Sequence, residues 1–424
     1  MSILIKHGRV LNPADNTDEI LDIFVADGKI KQIQKNIDKT KLLCEQIIDA
    51  KDCYVMPGLI DLHVHLRDPG LTYKEDLKTG SQAAAKGGFT TIVAMANTKP
   101  VIDNAEKWTT FMARAQKESP IQVIQAVSLT KDMAGEEPVD FDALQKAGVT
   151  ILSEDGKTVM NAEVFRQALQ EAQKHNFLVL DHCEDAFMKG NGVFNAGETA
   201  AKLGVPGISN AVEDVIIARD LLIAKETKTR LHICHCSTAD SVRLIALAKS
   251  EGLNITAEVC PHHFILTDKD IKEQDSNYKM APPLRSQKDV NALIQGLQDG
   301  TIDAIVSDHA PHAAKEKTTN VAHAAFGIVG LETMVPLTIS KLVKTGLLTP
   351  LQMAEKMSYN PAKILGIEKG NLSIGKDADI TIIHPETKYV IDKNTFVSKG
   401  RNTPFDGMHV SGAVKATIYQ GKVV

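Results

Sequence analysis

The sequence predicts an α/β protein: a (β/α)8 TIM barrel with a small β-sandwich formed by the N- and C-terminal segments. Three observations carry this. Eight short apolar runs alternate with longer helical patterns through the middle of the chain. The two ends read as short strands broken by glycine turns. Six side chains able to hold a metal ion fall at the C-terminal ends of five of the eight runs.

The N-terminal strands are the apolar runs 3–5, 20–25 and 30–33, with a turn at Asp27-Gly28. The C-terminal ones are 380–383, 408–410 and 416–419, separated by Gly375, Gly407 and Gly412. Domain termini often lie close together, so residues 1–54 and 371–424 are expected to form one composite β domain beside a barrel over 55–370.

The barrel strands are expected at 56–62, 90–95, 121–127, 149–152, 178–180, 231–234, 255–259 and 302–306. Helical patterns follow at 73–86, 104–117, 161–175, 212–227, 239–251 and 287–297. Strands alternating with helices build parallel βαβ units, and eight such units fit a closed barrel. The third and seventh units have the weakest helical signal.

Composition excludes several classes. The 424 residues are 43% hydrophobic and 24% charged, with net charge −5, which argues against a nucleic-acid or anionic-membrane surface. No apolar stretch reaches the roughly 18 residues of a membrane span. The start, MSILIKHGRVL, lacks the apolar core of a secretory signal. None of the six cysteines forms a Cys-x-x-Cys pair, so free thiols in a cytoplasmic protein are expected.

In a (β/α)8 barrel the active site is built from the C-terminal ends of several strands. His63 and His65 end the first, Asp155 follows the fourth, His182 ends the fifth, His235 the sixth and Asp308 the eighth. Alternate strand residues point the same way, so His63 and His65 can face one ion. Imidazole and carboxylate together suit zinc, and also manganese, cobalt or iron. Taken singly, His63-Val-His65 is two surface or core histidines, Asp155 a turn residue and Asp308 a helix cap; their shared strand-end position outweighs those readings. His232 shares a strand with His235 but differs by an odd step, so it is expected to be a packed or hydrogen-bonded histidine. Cys234 and Cys236 flank His235 and should point away from it. Glu184 and Asp185 are read as loop or helix-entry carboxylates, and His262 and His263 have no settled role. Asp308 can ligate a metal and shuttle a proton. Arg67, Asn97 and His312 are polar residues at the same face. Arginine matches a carboxylate with a two-pronged fork, which points to an anionic substrate.

Asp61-Leu-His63-Val-His65-Leu-Arg67-Asp68-Pro69 resembles the first signature of dihydroorotases, and Ser307-Asp308-His309-Ala310-Pro311-His312 with Lys317 resembles the second. Val306 stands where Gly or Ala is usual. Pro57-Gly58-Leu59-Ile60-Asp61 and Gly375-Lys-Asp-Ala-Asp379 are similar to segments of the wider amidohydrolase superfamily. The resemblance covers essentially the whole chain and is closest to the longer bacterial type. It implies reversible cyclisation of N-carbamoyl-L-aspartate to L-dihydroorotate in pyrimidine synthesis, with two zinc ions. His63, His65, Asp155 and Asp308 would hold one ion; Asp155, His182 and His235 would hold the other. Asp308 would be the catalytic acid/base. His65, Arg67, Asn97 and His312, with the backbone of Phe326 and Gly327, would bind substrate. A homo-oligomer is expected, and association with an aspartate transcarbamoylase is left open by the sequence. Lys157 lies two residues past Asp155 and is given no bridging role. Ala281 stands where an asparagine that touches substrate is usual. The loop at 313–324 is expected to close over substrate.

Two rivals remain at the level of sequence. One is another cyclic amidohydrolase, of the dihydropyrimidinase, hydantoinase or allantoinase kind, whose substrates lack the carboxylate that Arg67 would grip. The other is a non-catalytic homologue partnering a transcarbamoylase, which the completeness of the ligand set disfavours.

Overall fold

The computed structural model describes residues 2–318 and 320–424. Thr319, in the loop expected to close over substrate, lies outside the described residues.

The two ends of the chain pair into one eight-stranded sheet. Tyr54–Pro57 is its hinge. It runs parallel to Ser2–Asn12 on one side and antiparallel to Ile380–Val390 on the other. Thr17–Ala26 and Lys29–Gln34 extend the N-terminal side, His409–Tyr419 and Lys422–Val423 the C-terminal side, and Gln46–Asp49 pairs with Ser2–Asn12. Strand alternation puts Ile3, Ile5, Ile380 and Ile382 into one buried cluster with Val55 and Ile418.

Gly58 alone separates that sheet from the first of eight parallel strands, Leu59–Val64. The others are Phe89–Ala94, Gln122–Gln125, Ile151–Ser153, Leu178–Asp181, Arg230–Ile233, Ile255–Val259 and Ala304–Ile305. The first three form one sheet and the last five another. A parallel bridge between Val127 and Leu152 joins the two sheets at one edge, and one between Val64 and His309 joins them at the other. All eight strands or their immediate ends feed one buried interior cluster, including Ile60, Val93, Ala126, Ile151, Leu180, Cys234, Cys260 and Val306. Helices Leu77–Lys86, Ala105–Glu118, Ala162–Lys174, Ala211–Thr227, Ala239–Ser250 and Gln287–Asp299 match the six helical patterns to within a few residues. The third unit has the short helix Phe141–Ala147. Helical segments Met334–Val343 and Pro350–Leu365, after the eighth strand, were not anticipated.

Side-chain oxygens cap these helices. Asp76, Asn104, Asn161 and Thr238 each accept from a first-turn backbone N–H, which satisfies donors a helix start otherwise leaves orphaned. Among the described residues, no helix is long and apolar enough to cross a membrane.

Candidate metal centre

The strand ends deliver their polar side chains to one place. Pairing is irregular in the first strand between Asp61 and Val64. Such irregularities re-aim side chains, and here Leu62 joins the interior cluster while the next residue, His63, reaches the site. His235 and Asp308 follow their strands with φ of 32° and 45°, and Arg67 has φ 59°. Non-glycine residues rarely adopt positive φ, and those that do concentrate at functional sites.

Asp155 sits at the middle. Its Oδ1 lies 3.1 Å from His63 Nε2, 3.4 Å from His182 Nδ1 and 3.5 Å from His235 Nε2, while Oδ2 lies 3.3 Å from His65 Nε2. Asp308 Oδ1 is 3.2 Å from His65 Nε2 and 3.7 Å from His63 Nε2. His182 Nδ1 and His235 Nε2 face each other at 2.9 Å. All six residues are buried, with at most 6% of any one exposed.

Two donor sets stand out, His63–His65–Asp308 and His63–Asp155–His235, each close enough to hold a cation. His63 Nε2, Asp155 Oδ1 and His235 Nδ1 are buried without a hydrogen-bond partner among the described residues. An unsatisfied buried polar atom costs about 1–3 kcal/mol, and a cation held between His63 Nε2 and Asp155 Oδ1 would remove that cost at those two atoms. The residues therefore fit a metal ion.

Electrostatics agree with that fit. Burial disfavours the charged form of Asp155, yet His63 and bonds from His182 and His235 hold its carboxyl well below the usual range. Burial likewise opposes charge on His182, but Asp155 and Glu184 pull it up to about 10. His63 is raised well above its ordinary value against burial, chiefly by Asp155. Burial and the Arg67 charge lower His65. Asp308 stays low despite burial because His65 bonds to it. Basic imidazoles crowded on ionised carboxylates are groups poised to exchange protons for a cation.

A cavity of about 230 Å³ opens on this cluster. Its wall includes His65, Asp155, His182, His235 and Asp308, together with Arg67, Asn97, Ala281, His312, Phe326 and Gly327. His63 sits behind that wall, fully buried.

Arg67 donates from Nε to the Pro311 carbonyl at 3.3 Å, and its Nη2 lies 3.4 Å from His312 Nε2. His312 Nε2 also faces the Phe326 carbonyl at 2.8 Å, and its backbone N–H donates to Asn402 Oδ1. Burial, then Arg67 and Lys74, push His312 down to about 3, so it is neutral near pH 7. Asn97 Oδ1 accepts from His65 Nδ1 at 2.9 Å, which turns the other ring nitrogen of His65 toward the carboxylates. The Gly327 N–H is taken by the Lys279 carbonyl. Ala281 offers the cavity only a methyl group.

Some expectations change. Cys234 faces the barrel interior, where it joins the apolar cluster and lies beside His63 and Glu258. The left-handed backbone at His235 breaks strand alternation, so consecutive residues both face inward. His232, as expected, is hydrogen-bonded, to Thr256 and Glu258. Lys157 donates to the Met133 carbonyl at 3.0 Å. Glu184 lines the cavity, 3.9 Å from His182 Nε2, and bonds Lys189 at 2.8 Å. Lys74, Glu258 and Glu316 were passed over in the sequence because lone charged residues carry no spacing signal. For Glu258, a carboxylate inside an apolar strand was the available clue.

A family model described as dihydro-orotase-like matches residues 53–241. A dihydroorotase of Pelotomaculum thermopropionicum is 46% identical over 424 residues, covering all of this chain and 98% of the relative. One of Geotalea daltonii is 45% identical, covering all of this chain and 99% of the relative. Among solved structures, an L-hydantoinase (dihydropyrimidinase) from Arthrobacter aurescens superposes with TM-score 0.87 at 28% identity, over all of this chain and 95% of its own. With relatives this similar over its full length, the chain belongs to the dihydroorotase family.

Proposed function

We propose that this chain is a metal-dependent dihydroorotase, a cytoplasmic enzyme that reversibly closes N-carbamoyl-L-aspartate to L-dihydroorotate in pyrimidine synthesis. The single observation that carries the reading is Asp155 ringed by four imidazoles within 3.5 Å, with Asp308 across from it. The scaffold reads as a closed (β/α)8 barrel that begins at Leu59 rather than at residue 55, with the strands up to Pro57 and those from 371 onward as its side sandwich. The two edge bridges and the shared interior cluster support that closure.

Two zinc ions fit the site best. His63, His65, Asp155 and Asp308 would hold one, and Asp155, His182 and His235 the other. When bound, such cations supply Lewis acidity and make water a usable nucleophile near neutral pH. The chain's own groups do the rest. Arg67 and His312 grip the substrate carboxylate beside the Phe326–Gly327 backbone, and Asn97 shares that wall while orienting His65. Asp308, ionised at neutral pH, takes the proton released by the attacking oxygen and delivers it to the ring nitrogen as the amide C–N bond breaks. In the closing direction it removes that proton from the carbamoyl nitrogen. Burial of these groups strengthens each interaction by excluding water.

Self-association belongs to the same reading. Val215 and Leu222 on helix Ala211–Thr227 and Leu247 on helix Ala239–Ser250 are exposed apolar residues, which supports a homo-oligomer. Association with an aspartate transcarbamoylase is tested by mixing the purified proteins.

A metal-replete assay on dihydroorotate, with dihydrouracil and allantoin as controls, tests the substrate. Turnover of dihydroorotate alone is expected. Turnover of dihydrouracil without dihydroorotate would move the assignment to the hydantoinase side, and no turnover of any would favour a non-catalytic role.

A further inference from the structure

A buried carboxylate that the proposed chemistry does not use stands directly behind the ligands. Glu258 lies in the seventh parallel strand, Ile255–Val259, with no exposed surface. Its Oε1 is 2.8 Å from His63 Nδ1, and its Oε2 is 2.9 Å from His232 Nε2. Oε1 also accepts from the backbone N–H of His235 at 3.4 Å. His232 Nδ1 faces the Thr256 hydroxyl at 2.7 Å.

The directions of these bonds follow from the inventory of donors. An ionised carboxylate only accepts, so His63 Nδ1 and His232 Nε2 both donate to it. His232 then accepts from Thr256 at its remaining nitrogen. His63 is left with a lone pair on Nε2, the atom 3.1 Å from Asp155 that has no hydrogen-bond partner among the described residues. One carboxylate thus fixes the tautomer of a residue from the first strand and ties it to the backbone of a residue after the sixth. A histidine ligand whose other nitrogen donates to a carboxylate is both oriented and made more basic.

We propose that Glu258 is a positioning residue for the metal centre, acting through His63 and His235, with His232 and Thr256 bracing its far oxygen. This inference rests on the metal-centre reading above. A purely structural ion pair would leave zinc affinity alone once the fold is intact; a positioning carboxylate would not.

The test measures zinc affinity of the full chain by competition with a chromophoric chelator, for wild type, Glu258→Gln and His232→Leu, with circular dichroism confirming the fold. Glu258→Gln is expected to bind zinc roughly 10- to 100-fold more weakly than wild type, and His232→Leu to weaken it in the same direction by a smaller factor. Folded variants that both bind zinc as wild type does would overturn the proposal. If Glu258→Gln fails to fold, His232→Leu decides alone, and wild-type affinity there overturns it. A wild-type chain that binds no zinc would instead sink the metal-centre reading, an outcome visible before any variant is compared.

Discussion

Asp155 joins the two halves of the candidate centre, since Oδ1 serves His63, His182 and His235 while Oδ2 serves His65. Removing it should separate them. In Asp155→Ala, zinc content measured after dialysis is expected to fall, and wild-type content would show that the other donors suffice. Asp308 touches fewer partners and has the chemical task. Proton transfer by a placed side chain contributes about 10²–10⁴-fold, so Asp308→Ala should lower kcat by that range; turnover near wild type would remove its role. Arg67 has a binding task, and lysine does not reproduce its fork. Arg67→Lys should raise KM for dihydroorotate roughly tenfold, about 1.4 kcal/mol, with circular dichroism unchanged. That the six candidate ligands would gather at one place was legible in the sequence because strand ends converge. What strand alternation missed was the backbone: Cys234 already faces the interior, and the positive φ at His235 lets the very next side chain reach the site as well; nothing in the residue types announces that dihedral.

Elements were legible where one face is apolar and the other polar. Ala162–Lys174 buries Phe165, Ala168, Leu169 and Ala172, a stripe at helical spacing. Met334–Thr338 buries every residue, so it has no polar face to mark its period and reads as an undifferentiated apolar run. Boundaries shifted where glycine intervenes. The run 56–62 is in fact two strands in two sheets, split at Gly58. A Cβ on Gly58 would stand 2.2 Å from Thr90 Oγ1. Gly58→Ala must therefore push the second parallel strand away from the one that carries His63. Overpacking of this kind costs about 1–3 kcal/mol, so a lower melting temperature is expected; an unchanged melt would show that the two strands part at this point without loss of stability.

At the scale of the molecule, buried bases set the acid limit of stability. His263 is pushed down to about 3 by burial, against a bond to the Pro282 carbonyl, and His312 to about 3 by burial and neighbouring cations. In the unfolded chain both titrate near 6.5. Between about 6.5 and 3 the unfolded state binds more protons, so stability rises with pH across that window and is lost as pH falls. Lys317, pushed down to about 7 by burial, acts the same way higher up, so its contribution should improve stability between about pH 7 and 10.5. Denaturant titrations check the acid window directly, and stability that increased on acidification from pH 6.5 to 4 would contradict it; in the upper window His182, pulled up to about 10, works in the opposite direction, so the sign for Lys317 is read from the difference between wild type and Lys317→Met. The composite sheet was partly legible. Short strands at each end could be read, but that Tyr54–Pro57 would join the two ends is a pairing between distant segments that local pattern does not encode.

The gathering of distant histidines and aspartates around bound cations is measured most directly by anomalous diffraction from crystals of the zinc-loaded protein. Peaks should lie about 2.0–2.2 Å from ligand atoms of His63, His65, Asp155, His182, His235 and Asp308. Zinc bound elsewhere, with this cluster holding none, would contradict the account.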